Sequence, residues 1–191
     1  NLYQRRIQCI GVTLLIVGLI PSHQISAQEP AQQTHHAVLI GIHHYDPDQL
    51  IPLPSAEGEM TKLHELLLRG GYLEANLSLL TNTSGAEQSS LLPTRRNILR
   101  QLEQAAKNLK RSDALIVAFS GHGLVGADGQ WCLCPLDADL ADPKSLLPLT
   151  DVYRLLDQIQ CNHKLFLLDG MHDQPFAKNF DPSLVGPYTH Q

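Results

Sequence analysis

The strongest constraint on this chain comes from runs of apolar, β-branched residues that do not alternate with polar ones. "HAVLIGI" (36–42), the body of "DALIVAFSGHG" (113–123) and the start of "HKLFLLDGMHD" (163–173) are of this kind. A strand with one wet face alternates apolar and polar residues. An unbroken run needs cover on both faces, as in the middle of a parallel sheet. A shorter strand is expected at "NLSLLTN" (76–82), and "QWCLCPLDADL" reads as a small hairpin arm.

Between these runs the apolar spacing becomes helical. Ala56, Met60, Leu63 and Leu67 fall on one face of "SAEGEMTKLHELLLRGGY" (55–72), with Ser55 as the expected N-cap and Gly70-Gly71 as the stop. "TSGAEQSSLLP" is expected as a loop. "TRRNILRQLEQAAKNLK" (94–110) has Thr94 as N-cap and Ile98, Leu102 and Ala105 as its inner stripe; "LTDVYRLLDQIQ" (149–160) is a further helix. Strands alternating with helices imply an α/β three-layer sandwich, with a mainly parallel sheet and right-handed crossovers. Function in such sheets gathers beyond the carboxyl ends of the strands. There this sequence collects His43 and His44, then Ser120, Gly121, His122 and Gly123, then Asp169, Gly170, Met171 and His172.

A formal net charge of -5 without a Lys/Arg run gives no footprint for nucleic acid. No P-loop and no GxGxxG follows a strand, so no nucleotide is expected. Ten histidines raise the question of a metal. No spaced ligand pattern such as HExxH accompanies them, and neither a metal nor another cofactor is expected. Asp46, Asp48, Glu57 and Glu59 read as loop and helix-start acids, favoured by the helix dipole.

The first 27 residues read as a secretory signal. Arg5 and Arg6 precede the apolar run "IQCIGVTLLIVGLI", and "ISA" offers a small-residue cleavage site after about Ala27. The protein is then secreted or periplasmic, with no stable membrane insertion once the signal is cut; the alternative is an uncleaved anchor. Residues 28–35 read as a linker, 36–175 as the folded domain and 176–191 as a tail or the start of the domain's remainder. Cys132 and Cys134 share a face of one strand and Cys161 stands apart. Buried free thiols are the plain reading; a bridge from Cys161 to one of the pair is the alternative.

Taken in order, "VLIGIHHYD", "LPSAEGEMTKLHELLLRGGY", "LLTN", "PTRRNILRQLE", "FSGHG", "CPLDAD" and "LLDGMHD" resemble the caspase and metacaspase family of cysteine peptidases over residues 36 to 175. The resemblance implies a caspase-like fold, with two last strands missing or beyond this sequence. It implies that His122 is the acid–base that pairs with a thiol, and that the Gly123 backbone N–H helps to stabilise an oxyanion. Asp169 matches the acid that lines a pocket for Arg or Lys. The nucleophile falls on Met171, and a thioether cannot become a thiolate.

No neighbour obviously takes its place. Asp173 is a poor peptidase nucleophile. Cys161 precedes the strand and is expected more than about 15 Å away at its opposite end. Nothing in the sequence sets Cys132 or Cys134 beside His122. The turn also departs from the family's small Ser-Gly pair, having Asp173 and Gln174 instead. The resulting expectation is an inactive caspase-like endopeptidase domain acting in binding or regulation, with peptide or protein segments, basic ones among them, as partners. The alternatives are an active cysteine endopeptidase using another thiol and cleaving after Arg or Lys, and a structural module of a longer extracellular protein.

Overall fold

The computed structural model describes residues 33–46, 48–126 and 129–171, with the Met171 side chain excepted. The expected signal (1–27), most of the expected linker, and His172, Asp173, Gln174 and the tail lie outside the described residues. The described elements are β1 (His35–Gly41), α1 (Ala56–Arg69), β2 (Leu77–Thr81), α2 (Asn82–Glu87), α3 (Arg95–Asn108), β3 (Ala114–Val125), β4 (Trp131–Leu133), β5 (Leu147–Pro148), α4 (Leu149–Gln158) and β6 (His163–Met171). β1 opens one residue before the expected domain start.

Among the described residues the sheet has six strands. β2, β1, β3 and β6 run parallel in that spatial order, and β4 and β5 add an antiparallel extension past the end of β1. Helices cover both faces. Ala37, Leu39 and Ala118 pack with Met60 and Leu67 of α1. On the other face Val38, Ile40, Val117 and Phe119 pack with Ile98 and Leu102 of α3 and Val152 and Leu156 of α4. This is the α/β sandwich that the unbroken apolar runs require.

Several local expectations hold for stated reasons. Thr94 caps α3 by accepting from the Asn97 N–H. α1 ends where Gly71 adopts φ +93, a left-handed conformation that glycine reaches without strain. Three expectations are corrected. Ser55 makes no side-chain cap, because its backbone is already helical. The stretch after β2 is not all loop: Thr81 accepts from the Ser84 N–H and starts the short α2. β3 does not break at its glycines. It runs on to Val125, with residues 123–125 paired to β4, and neither Gly121 nor Gly123 has a positive φ.

β6 is less covered than its sequence suggests. Leu165 and Leu167 are 50% and 41% exposed, because α1 lies over β1 and β3 and does not reach them. Phe166, on the opposite face, does pack, with its ring edge-on to Tyr153 of α4.

At the opposite end of the sheet Asp113 ties two segments together. Its carboxylate accepts from the Thr34 N–H, the Thr34 hydroxyl and the Lys110 N–H. Burial alone would raise its pKa; these bonds outweigh burial and hold the carboxyl below the ordinary carboxylate range. A depressed folded-state pKa contributes stability that is complete above the unfolded value, near pH ~4, and is lost as pH falls through the folded value. Asp113→Asn is therefore expected to flatten the acid-side fall in urea midpoint below about pH 4; an unchanged slope would contradict this. Leu39 is wholly buried on the α1 face. Leu39→Ala is expected to lower unfolding free energy by about 3 kcal/mol in denaturant titrations, and a loss under about 1 kcal/mol would mean the site collapses around the gap.

Candidate active site

The residues singled out in the sequence gather past the end of β1, along β3 from Ser120 to Gly123 and at the end of β6. Its centre is His122, a fully buried imidazole on β3. The segment after β1 folds back over it. Asp46 accepts from the N–H groups of Asp48, Gln49 and Leu50, and Leu50 plugs into the core. This return brings the Ile51 carbonyl to 2.8 Å from His122 Nε2. A carbonyl can only accept, so Nε2 carries the hydrogen. The proton of any acid–base chemistry is then exchanged at Nδ1. Ile51 was not legible as a site residue, because its contribution is a backbone oxygen that any residue supplies.

The glycines on either side have packing reasons. A Cβ on Gly121 would lie 2.7 Å from the Tyr45 hydroxyl oxygen and 2.8 Å from the Phe119 ring. A Cβ on Gly123 would lie 2.6 Å from the Gly170 carbonyl oxygen. Gly123 therefore lets β3 and β6 approach closely. Its own N–H has a defined direction. The Cys134 N–H donates to the His122 carbonyl at 2.9 Å, so Gly123 occupies the next, non-bonded position of the β3–β4 ladder. The Gly123 N–H thus faces the β6 edge, where Met171 is its register partner.

Asp169 is exposed and pairs in register with Ser120 of β3. Register partners project to the same face, here the α1 face. The Ser120 hydroxyl donates to the Glu59 carboxylate at 3.2 Å. Glu59 thus holds the Ser120 hydroxyl on β3, and Asp169 stands at the neighbouring register position on β6. In the sequence Glu59 reads only as a helix-start acid. The signal that could have found it was its position one residue before the buried Met60, in the turn of α1 that overlies the strand ends.

The three thiols of residues 33–171 are free and buried. Burial, with Cys132 beside it, pushes the Cys134 thiol far above the ordinary thiol range, so it supplies almost no thiolate. Cys161 lies just before β6, at the end of the sheet away from His122. Cys132 lines a cavity of about 140 Å³ together with Gly123, Gly170, Leu149 and Leu168. His43 and His44 stack on each other with centroids 3.9 Å apart, and Asn82 accepts from both of their N–H groups. Among the described residues no group of three His, Cys, Asp or Glu side chains is placed to hold a metal ion.

The caspase domain family matches residues 34–185. Metacaspase-4 of Arabidopsis thaliana is 30% identical over 128 residues, which are 62% of this chain and 29% of that protein. Metacaspase-1B of Aspergillus fumigatus is 34% identical over 105 residues, 54% of this chain and 24% of that protein. The chain thus spans less than a third of either relative. In fold it resembles a protein of Geobacter sulfurreducens, GSU0716, with a TM-score of 0.52 at 18% identity, covering 70% of this chain and 48% of that one. The family match takes in every described strand and helix: the chain belongs to the caspase domain family.

Proposed function

We propose that this caspase domain binds peptide segments carrying Arg or Lys and does not cleave them. The observation that carries the reading is the register of β6. Met171 pairs with Gly123, the residue that follows His122, and so occupies the end of β6 beside the site's histidine. A thiol at that position could be drawn into a thiolate by the histidine; a thioether has no proton to give and cannot attack a carbonyl. On this reading His122 is the acid–base left without a nucleophile. Asp169 with Glu59 receives a basic side chain. Two carboxylates beside an exposed rim favour a cation over a neutral side chain. The leader-like segment 1–27 supports a secreted or periplasmic setting.

One observation favours an active enzyme instead: Cys132 shares a cavity with Gly123 and Gly170. Its burial and its place in the β4 ladder weigh against it. Fluorogenic Arg and Lys peptides separate the readings. The natural chain is expected to be silent, Met171→Cys to cleave at least about a hundredfold faster than the natural chain, and Met171→Cys with His122→Ala to fall back. Cleavage by the natural chain that stops with a thiol reagent would contradict the proposal and point to Cys132. Silence of all three would put the loss deeper than one residue and support a structural module.

A further inference from the structure

Ile51 fixes the His122 ring, but the backbone that carries the ring is held from elsewhere. One step past the paired residues of β3 and β4, His122 stands opposite Cys134, where an antiparallel pair normally exchanges two hydrogen bonds. One is present, from the Cys134 N–H to the His122 carbonyl at 2.9 Å. The other is interrupted. The His122 N–H donates to the Tyr45 hydroxyl oxygen at 2.9 Å, and that hydroxyl donates to the Cys134 carbonyl at 3.2 Å. A phenol oxygen replaces one rung of the sheet and bridges the two segments there.

On its other edge β3 is irregular at the same place. From Ser120 to Gly123 it advances three residues while β6 advances two, from Asp169 to Met171. Such a bulge re-aims the side chains around it. Its effect is visible in the core. Phe119 and Leu124, five residues apart, belong to the same cluster, although a regular strand would send them to opposite faces. Tyr45 is buried in that cluster, its ring 5.0 Å from the His122 ring. Gly121 is the residue that leaves room for the phenol oxygen.

We propose that Tyr45 is a positioning residue for His122: its hydroxyl, inserted as a rung between β3 and β4, holds the surplus residue of β3 in place and keeps the imidazole on the Ile51 carbonyl. Burial pushes the Tyr45 phenol well above its ordinary range, so the hydroxyl keeps its proton and can donate to Cys134 while accepting from His122. The proposal rests on the reading of His122 as the acid–base of the site, but its test needs no turnover and is independent of Met171.

The test is nitrogen NMR of the histidine rings, with amide exchange, on the full chain and on Tyr45→Phe, which removes one oxygen and keeps the ring. The natural chain is expected to show His122 as the Nε2–H tautomer with a protected amide. In Tyr45→Phe that signature is expected to give way to a mixture of tautomers. Exchange at the His122 amide is expected to rise at least about tenfold relative to the Val117 amide. Tyr153→Phe, on the surface, is expected to move neither signal. A folded Tyr45→Phe with both signals unchanged would overturn the proposal and leave Tyr45 a packing residue. If Tyr45→Phe does not fold, Gly121→Ala, whose methyl presses on the same oxygen, is read in the same way. In a Met171→Cys background that cleaves, Tyr45→Phe is expected to lower kcat about tenfold or more with KM within about twofold; an unchanged kcat would count against it.

Discussion

Between Ser120 and Gly123 the central strand spends one residue more than its neighbour β6, and the geometry of the site depends on that surplus. β3 is paired on both edges and buried on both faces, so it cannot absorb an extra residue by bowing into solvent. The irregularity has to be filled from within. Gly121 and Gly123 leave the space, and the Tyr45 hydroxyl takes one rung of the ladder to β4. The Ile51 carbonyl then takes the imidazole. A buried histidine with an unsatisfied ring would cost stability; here the Nε2 side is satisfied by a backbone atom whose place is set by the Asp46 turn.

These supports come from three parts of the chain: the return after β1, the glycines of β3, and the Cys134 carbonyl just after β4. None of them requires a thiol at position 171. The supports of His122 are therefore structurally separable from the side chain at position 171. Packing and backbone hydrogen bonds maintain the histidine cradle and the close β3–β6 contact whatever side chain stands at position 171, and the Ser120 hydroxyl holds Glu59.

Much of this was legible in the sequence, and the gaps have physical causes. Unbroken apolar runs gave the two-sided sheet, because burial on both faces leaves no room for alternation. The strand ends gave His122, Gly123, Asp169 and Met171 as one neighbourhood, because parallel strands bring their carboxyl ends together. The continuation of β3 through "SGHG" was not legible. Glycines usually mark turns, and these are instead required by the Tyr45 hydroxyl and the Gly170 carbonyl, which lie 76 residues or more and 47 residues away in the chain. Ile51 left no signal, since a backbone oxygen has no residue type. Glu59 looked like an ordinary first-turn acid until Ser120 was found beneath it. The exposure of Leu165 and Leu167 was also hidden, because an apolar run does not say how far a neighbouring helix reaches.

The central claim is that an acidic rim beside His122 holds a basic side chain without cutting the peptide. Calorimetric titration of the natural chain with an Arg-containing peptide and its norleucine counterpart tests it most directly. The account predicts that the Arg peptide binds and is recovered intact, that the norleucine peptide binds at least about tenfold more weakly, and that Asp169→Asn removes most of that difference, a tenfold change being about 1.4 kcal/mol. Equal binding of the two peptides, or a preference for Arg that survives in Asp169→Asn, would contradict it.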